Sequence, residues 1–164
     1  MKVAVVVFAT ALALALQTTL AGTDAVDFVL VVVVYVALTS GPVTGLLTGT
    51  FAGLVQDALA SGVIGIGGLA KTIVGFLAGI IGTQFIVAQP VPRFVVFFAA
   101  TLLHAVVFYG LYLVLNVRQF GSAYAAITGQ ALTNALVGVV AFQLVEVLPG
   151  AVERRKAAKH RIRR

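Results

Sequence analysis

The sequence predicts an all-α, polytopic membrane protein: six transmembrane helices joined by short loops, with both termini in the cytoplasm. Three observations carry this. First, the 164 residues are 61% hydrophobic and only 10% charged, with a mean hydropathy of +1.13. A soluble domain of this length cannot bury that much apolar side-chain surface beneath a polar exterior. Second, apolar runs approaching the roughly 20 residues that cross a bilayer recur along the chain, separated by turn chemistry. Third, lysine and arginine are distributed asymmetrically about those runs.

The elements follow in order. The first span covers residues 3–20. Its opening, MKVAVVVFATALALALQTTLAG, also has the Lys, apolar run and small residues of a signal peptide. Cleavage there would leave five spans and an outward N-terminus; finding an intact N-terminus in the purified protein would exclude that rival. The second span covers 26–38, the third 42–60, the fourth 69–88, the fifth 94–117 and the sixth 124–148. The connectors AGTDA, TSGP, SGVIGIGG, QPVPR and RQFGS carry the turn residues. Pro42 suits a first helical turn, where its missing N–H is harmless. Pro90 and Pro92 separate the fourth helix from the fifth.

Six spans place both ends on one side. That side holds Lys2, Arg93 and the seven basic residues of the tail, against Lys71 and Arg118 on the other. The excess of basic residues marks the cytoplasmic face. Two units result: a six-helix membrane domain over residues 1–150 and a basic cytoplasmic tail over 151–164. The net charge of +6 does not indicate a nucleic-acid partner, because seven of the eleven Lys and Arg lie in the last eleven residues. There they suit anionic headgroups, each adding about 1 kcal/mol near the surface; an acidic cytoplasmic partner is the alternative.

The third span poses the sharpest question. In GPVTGLLTGTFAGLVQDAL, glycine recurs every fourth residue at Gly41, Gly45, Gly49 and Gly53, and the next step lands on Asp57. Each interior glycine costs about 1 kcal/mol of helix propensity in water. A step of four traces a slanted row without side chains, a furrow into which another helix can pack. Close van der Waals contact drives association in lipid, where hydrophobicity does not. The fourth span repeats the pattern at Gly75 and Gly79, with Lys71 four residues earlier. These eight residues are the candidates for helix packing or partner contact. Asp57 and Lys71 are expected either to pair with each other or to be solvated separately at the interface.

The intramembrane polar residues are His104 in the fifth span and Gln130 and Asn134, one turn apart, in the sixth. Interhelical hydrogen bonds that fix packing are the expectation for them, with a polar pocket or proton path as the alternative. Gln17 and Gln84 are expected to serve packing too, and Glu146 to lie at the cytoplasmic interface or to face Arg154 or Arg155. No catalytic constellation, metal site or cofactor is expected. The absence of Cys removes disulfides, iron–sulfur clusters and thiolate zinc. No HExxH or DxxD pattern occurs, and GIGGLAKT fails as a phosphate-binding loop because Ala70, not Gly, precedes Lys71.

The stretch GLLTGTFAGLVQDALASGVIGIGGLAKTIVGFLAG, residues 45–79, resembles the signature region of the rod-shape-determining protein MreD family. Gly53, Leu54 and Asp57 match the family's G-L-x-x-D, and Gly62, Gly65 and Gly68 fall in the small-residue loop that follows. The resemblance implies a non-enzymatic, multi-pass protein of the bacterial cytoplasmic (inner) membrane, within the cell-elongation machinery that builds side-wall peptidoglycan. It implies contact with the single-span protein MreC, and through it with MreB, RodA and a class B penicillin-binding transpeptidase. An alternative of another class is the substrate-binding membrane subunit of an energy-coupling-factor vitamin transporter. The small-residue patterns Ala9/Ala13 and Ala11/Ala15 would suit such a subunit, and an external polar pocket would be its mark.

Overall fold

The computed structural model describes residues 3–20, 25–60, 63–85, 87, 89–116 and 124–162. Lys2, Asp24, Gly62, Arg118 and the last two arginines therefore lie outside the described residues. The described chain is all-helical: α1 Val3–Thr19, α2 Phe28–Ser40, α3 Pro42–Leu59, α4 Ile66–Gln84, α5 Pro90–Val114 and α6 Tyr124–Ile162. By length and composition, α4, α5 and the Tyr124–Glu146 part of α6 can cross a membrane. The sequence expectation was six such spans. The 17 residues of α1 and the 13 of α2 are apolar but shorter. In α3 the glycines, the threonines and the Gln56–Asp57 pair dilute the apolar content.

The short α2 is the hub. It touches each of the other five helices. Val29, Leu30, Val31, Val33, Val34, Val36 and Ala37 are all buried, so it is apolar on every side, as a central helix must be. Around it, Val74, Ala78, Phe97, Ala100, Ala135 and Phe142 bring α4, α5 and α6 into one core. A smaller core joins Ala13 of α1 and Ala52 of α3 to Val29 and Val33. The outer faces of α1 and α5 are apolar and exposed, as at Phe8, Leu12, Val95 and Val106.

Local chemistry sets the boundaries. Asp27 accepts a hydrogen bond from the Leu30 backbone N–H, so α2 begins two residues later than the hydropathy pattern suggests. Gly41 lies between α2 and α3 with φ 89°, a left-handed conformation that glycine takes without strain. It is therefore a turn residue at the end of the glycine row, and its carbonyl carbon lies 2.7 Å from the place a Gly79 Cβ would take. Its missing side chain opens no close contact, since a Cβ there would come no nearer than 3.8 Å to Thr83. Asn116, at φ 51°, stops α5 just beyond Leu115. α6 continues as helix through residue 162 without a break at residue 150.

Candidate functional site

The most extensive helix contact is α3 against α4, and it is built on backbone. A Cβ on Gly45 would overlap the Gly75 carbonyl oxygen, and a Cβ on Gly75 would overlap the Gly45 carbonyl oxygen. The same holds for Gly49 against the Lys71 carbonyl and for Gly79 against Pro42. A Cβ on Gly53 would lie 2.6 Å from the Gly68 Cα. The contacts descend one helix as they climb the other, so the two rows form an antiparallel seam. Thr50 and Thr72 place their hydroxyls 2.8 Å apart along it. The α3 furrow is thus filled from within the chain, by α4.

Asp57 and Lys71 stand at the same end of this seam but have different partners. Asp57 Oδ2 accepts from the backbone N–H groups of Gly65 at 2.8 Å and Gly68 at 3.0 Å. It caps α4 from the preceding helix, supplying negative charge where the helix dipole is positive. The bare Cα of Gly67 leaves room for this, since a Cβ there would push Asp57 Oδ1 aside. The cap also explains why α4 starts at Ile66, inside what the sequence suggested was loop. Lys71 instead pairs with Asp27, Nζ to Oδ2 at 2.7 Å, with the side chains 3% and 7% exposed. The proposed Asp57–Lys71 pair is therefore replaced by Asp27–Lys71. Sequence spacing could not reveal this, since Asp27 comes from another helix hairpin. What was legible is the N-cap signature, an Asp directly before an apolar run.

His104 joins the pair, with Nε2 3.2 Å from Lys71 Nζ. A lysine ammonium only donates, so this nitrogen accepts and the ring proton sits on Nδ1. Asn134, fully buried, accepts from the Asp27 N–H at 2.9 Å and donates to Thr101 at 3.2 Å. Gln17 accepts from Phe28 N–H and donates to the Val26 carbonyl. Thr133 donates to the Ala25 carbonyl. Side chains from α1 and α6, together with the Asp27 carboxylate, therefore satisfy the free backbone groups at the start of α2. Thr101 and Asp27 are the members that sequence reasoning missed.

Beside the cluster lies a partly enclosed cavity of about 550 Å³. Its wall includes Asp27, Asp57, Lys71, His104 and Gln130, together with Gln56, Phe108 and Tyr109. Gln130 thus faces the cavity one turn before Asn134, which faces the core. At the far end of the bundle, Arg93 is buried and forks onto Glu146 at 2.6 and 3.0 Å. It also donates to the Val87 carbonyl and lies 4.0 Å from the Phe142 ring centre. Glu146 therefore faces Arg93 of α5, a partner not anticipated from the sequence. Among the described residues, no group of three or more His, Cys, Asp or Glu could hold a metal ion.

A helical bundle with an apolar outer face, a glycine seam and its charges held at its two ends defines an integral membrane protein. The chain belongs to the MreD family: the model for "rod shape-determining protein MreD" matches residues 1–149. This makes it a rod shape-determining membrane protein. No curated protein and no solved structure matches it significantly.

Proposed function

We propose that this protein is a non-enzymatic, multi-pass component of the bacterial inner membrane that supports cell elongation and side-wall peptidoglycan synthesis. It crosses the membrane six times, holds both termini in the cytoplasm, and acts through intramembrane contact with an MreC-like single-span protein. MreB, RodA and a class B penicillin-binding transpeptidase are reached through that partner. Residues 1–150 form the membrane domain and residues 151–164 a basic tail on anionic headgroups.

The family match over residues 1–149 carries this reading. The packing bears on how contact is made. Gly45, Gly49, Gly53, Gly75 and Gly79 are occupied with one another or with neighbouring backbone, so they set the shape of the α3–α4 pair. A partner helix then meets the exposed apolar faces, of which that of α1 is the least covered: of its described residues only Thr10 and Ala13 are buried.

Complementation tests the proposal. Rod-shaped cells deprived of their own MreD-family protein should round up, and expression of this chain should restore rods and co-purify an MreC-like protein. Variants at the lipid-facing positions Phe8 and Leu12, changed to Ala together with retained expression, should weaken that co-purification. Restored shape with no MreC-like protein in the complex would overturn the contact; failure to restore shape by a well-expressed chain would overturn the role.

A further inference from the structure

We propose that the cavity beside the Asp27–Lys71 pair is a binding site for a small molecule bearing a primary ammonium group on an apolar, ring-containing body. This goes beyond the shape-determining role and does not depend on it.

The volume of about 550 Å³ falls within the range of small-molecule sites, roughly 300–1,000 Å³. Five helices contribute to its wall, so the space is built by the fold and not by one loop. The wall has unfilled acceptors. Gln56 Oε1 is buried and has no hydrogen-bond partner. Its neighbour Asp57 uses Oδ2 for both backbone N–H groups, and Oδ1 makes no hydrogen bond among the described residues. A buried acceptor left unsatisfied costs about 1–3 kcal/mol, so an occupant that donates is favoured.

Charge points the same way. Lys71 is neutralised by Asp27 at 2.7 Å, which leaves Asp57 as the remaining carboxylate of the wall. A primary ammonium offers three donors and no acceptor, which suits the Asp57 carboxylate, and Gln56 Oε1, buried in the empty site, becomes a second acceptor once its side chain turns toward the occupant. Phe108 and Tyr109 pack edge to face, ring centres 5.6 Å apart, and both line the cavity. Aromatic faces attract cations and cover rings. Among the described residues, an anion would meet Asp57 with Lys71 already paired to Asp27 and no other lysine or arginine in the wall. Water alone would satisfy the acceptors but not the aromatic wall.

The probe is 2-phenylethylammonium, with phenylacetate and 2-phenylethanol as partners of the same body and different charge. The full chain in phosphatidylglycerol nanodiscs is titrated by ligand-observed NMR, with empty nanodiscs subtracted. The ammonium should bind saturably and at least tenfold more tightly than either partner. Gln56→Leu should weaken it about tenfold, the value of one hydrogen bond to a charged group. Ala126→Phe, at an exposed position on the cavity wall, should abolish binding while leaving the chain monodisperse. A second set of nanodiscs containing phosphatidylethanolamine tests a rival source of the ammonium: unchanged affinity supports a ring-containing soluble amine, and competition by the ring-free, phosphate-bearing headgroup would overturn it. No saturable binding, equal affinity for the three probes, or Ala126→Phe behaving as the parent would each overturn the site.

Discussion

At the residue scale, Lys71 is the most exposed to misfortune of any side chain, although it is 3% accessible. It sits in the second turn of α4, near the positive end of that helix dipole, and its charge is paired with Asp27 while His104 accepts a further hydrogen bond. Removing one member of a buried ion pair costs about 3–5 kcal/mol, because the other charge is left without compensation. Lys71→Met should therefore lose stability of that order in detergent-based unfolding. Adding Asp27→Asn should recover most of the loss, since Asn still caps α2 and no longer carries charge. A double variant less stable than Lys71→Met would contradict the pairing. Asp57→Asn is a different case: it keeps an acceptor for Gly65 and Gly68 and should cost less than either single change in the pair.

At the scale of elements, glycine positions divide by what faces them. Gly49 has the Lys71 carbonyl carbon 2.7 Å from the place a Cβ would take, and backbone cannot step aside without moving a whole helix. Gly110 and Gly129 have open space. Gly49→Ala should destabilise by about 1–3 kcal/mol, as overpacking does. Gly129→Ala should be neutral or slightly stabilising, since alanine is the better helix former. Unfolding midpoints of the two variants, measured side by side, check the contrast; equal effects would mean that α3 and α4 are not packed through their backbones. The spacing of Gly45, Gly49 and Gly53 made the furrow legible in the sequence, because periodicity is a local property. Gly41 shares their spacing but stands at the turn, and a turn glycine and a packing glycine look alike until φ is known. The same limit hid the start of α4: Gly65, Gly67 and Gly68 read as loop, and only the Asp57 carboxylate turns them into a capped helix. Partners chosen across the bundle, such as Asp27 for Lys71 and Arg93 for Glu146, are set by topology and leave no trace in spacing.

At the scale of the whole molecule, the charges sort by end. Asp27, Asp57 and Lys71 gather where α2 and α4 begin and α3 finishes, while Arg93 and Glu146 close the other end between α5 and α6. The sorting ties the helices into one body and gives the bundle a direction. The proposed orientation puts the Arg93 end in the cytoplasm, with the basic tail, and opens the cavity beside Lys71 to the outside. The absence of cysteine makes this testable without background, because a single introduced thiol is the only one to react. Ala60, exposed at the end of α3, and Gln89, exposed just before α5, mark the two faces. In intact cells a membrane-impermeant maleimide should label Ala60→Cys and leave Gln89→Cys untouched until the membrane is opened, when both should react. The reverse pattern would invert the protein, turn the cavity toward the cytoplasm, and place the arginine–glutamate clasp against the cell wall. Labelling of both sites in intact cells would mean that α4, which lies between them, does not cross the bilayer.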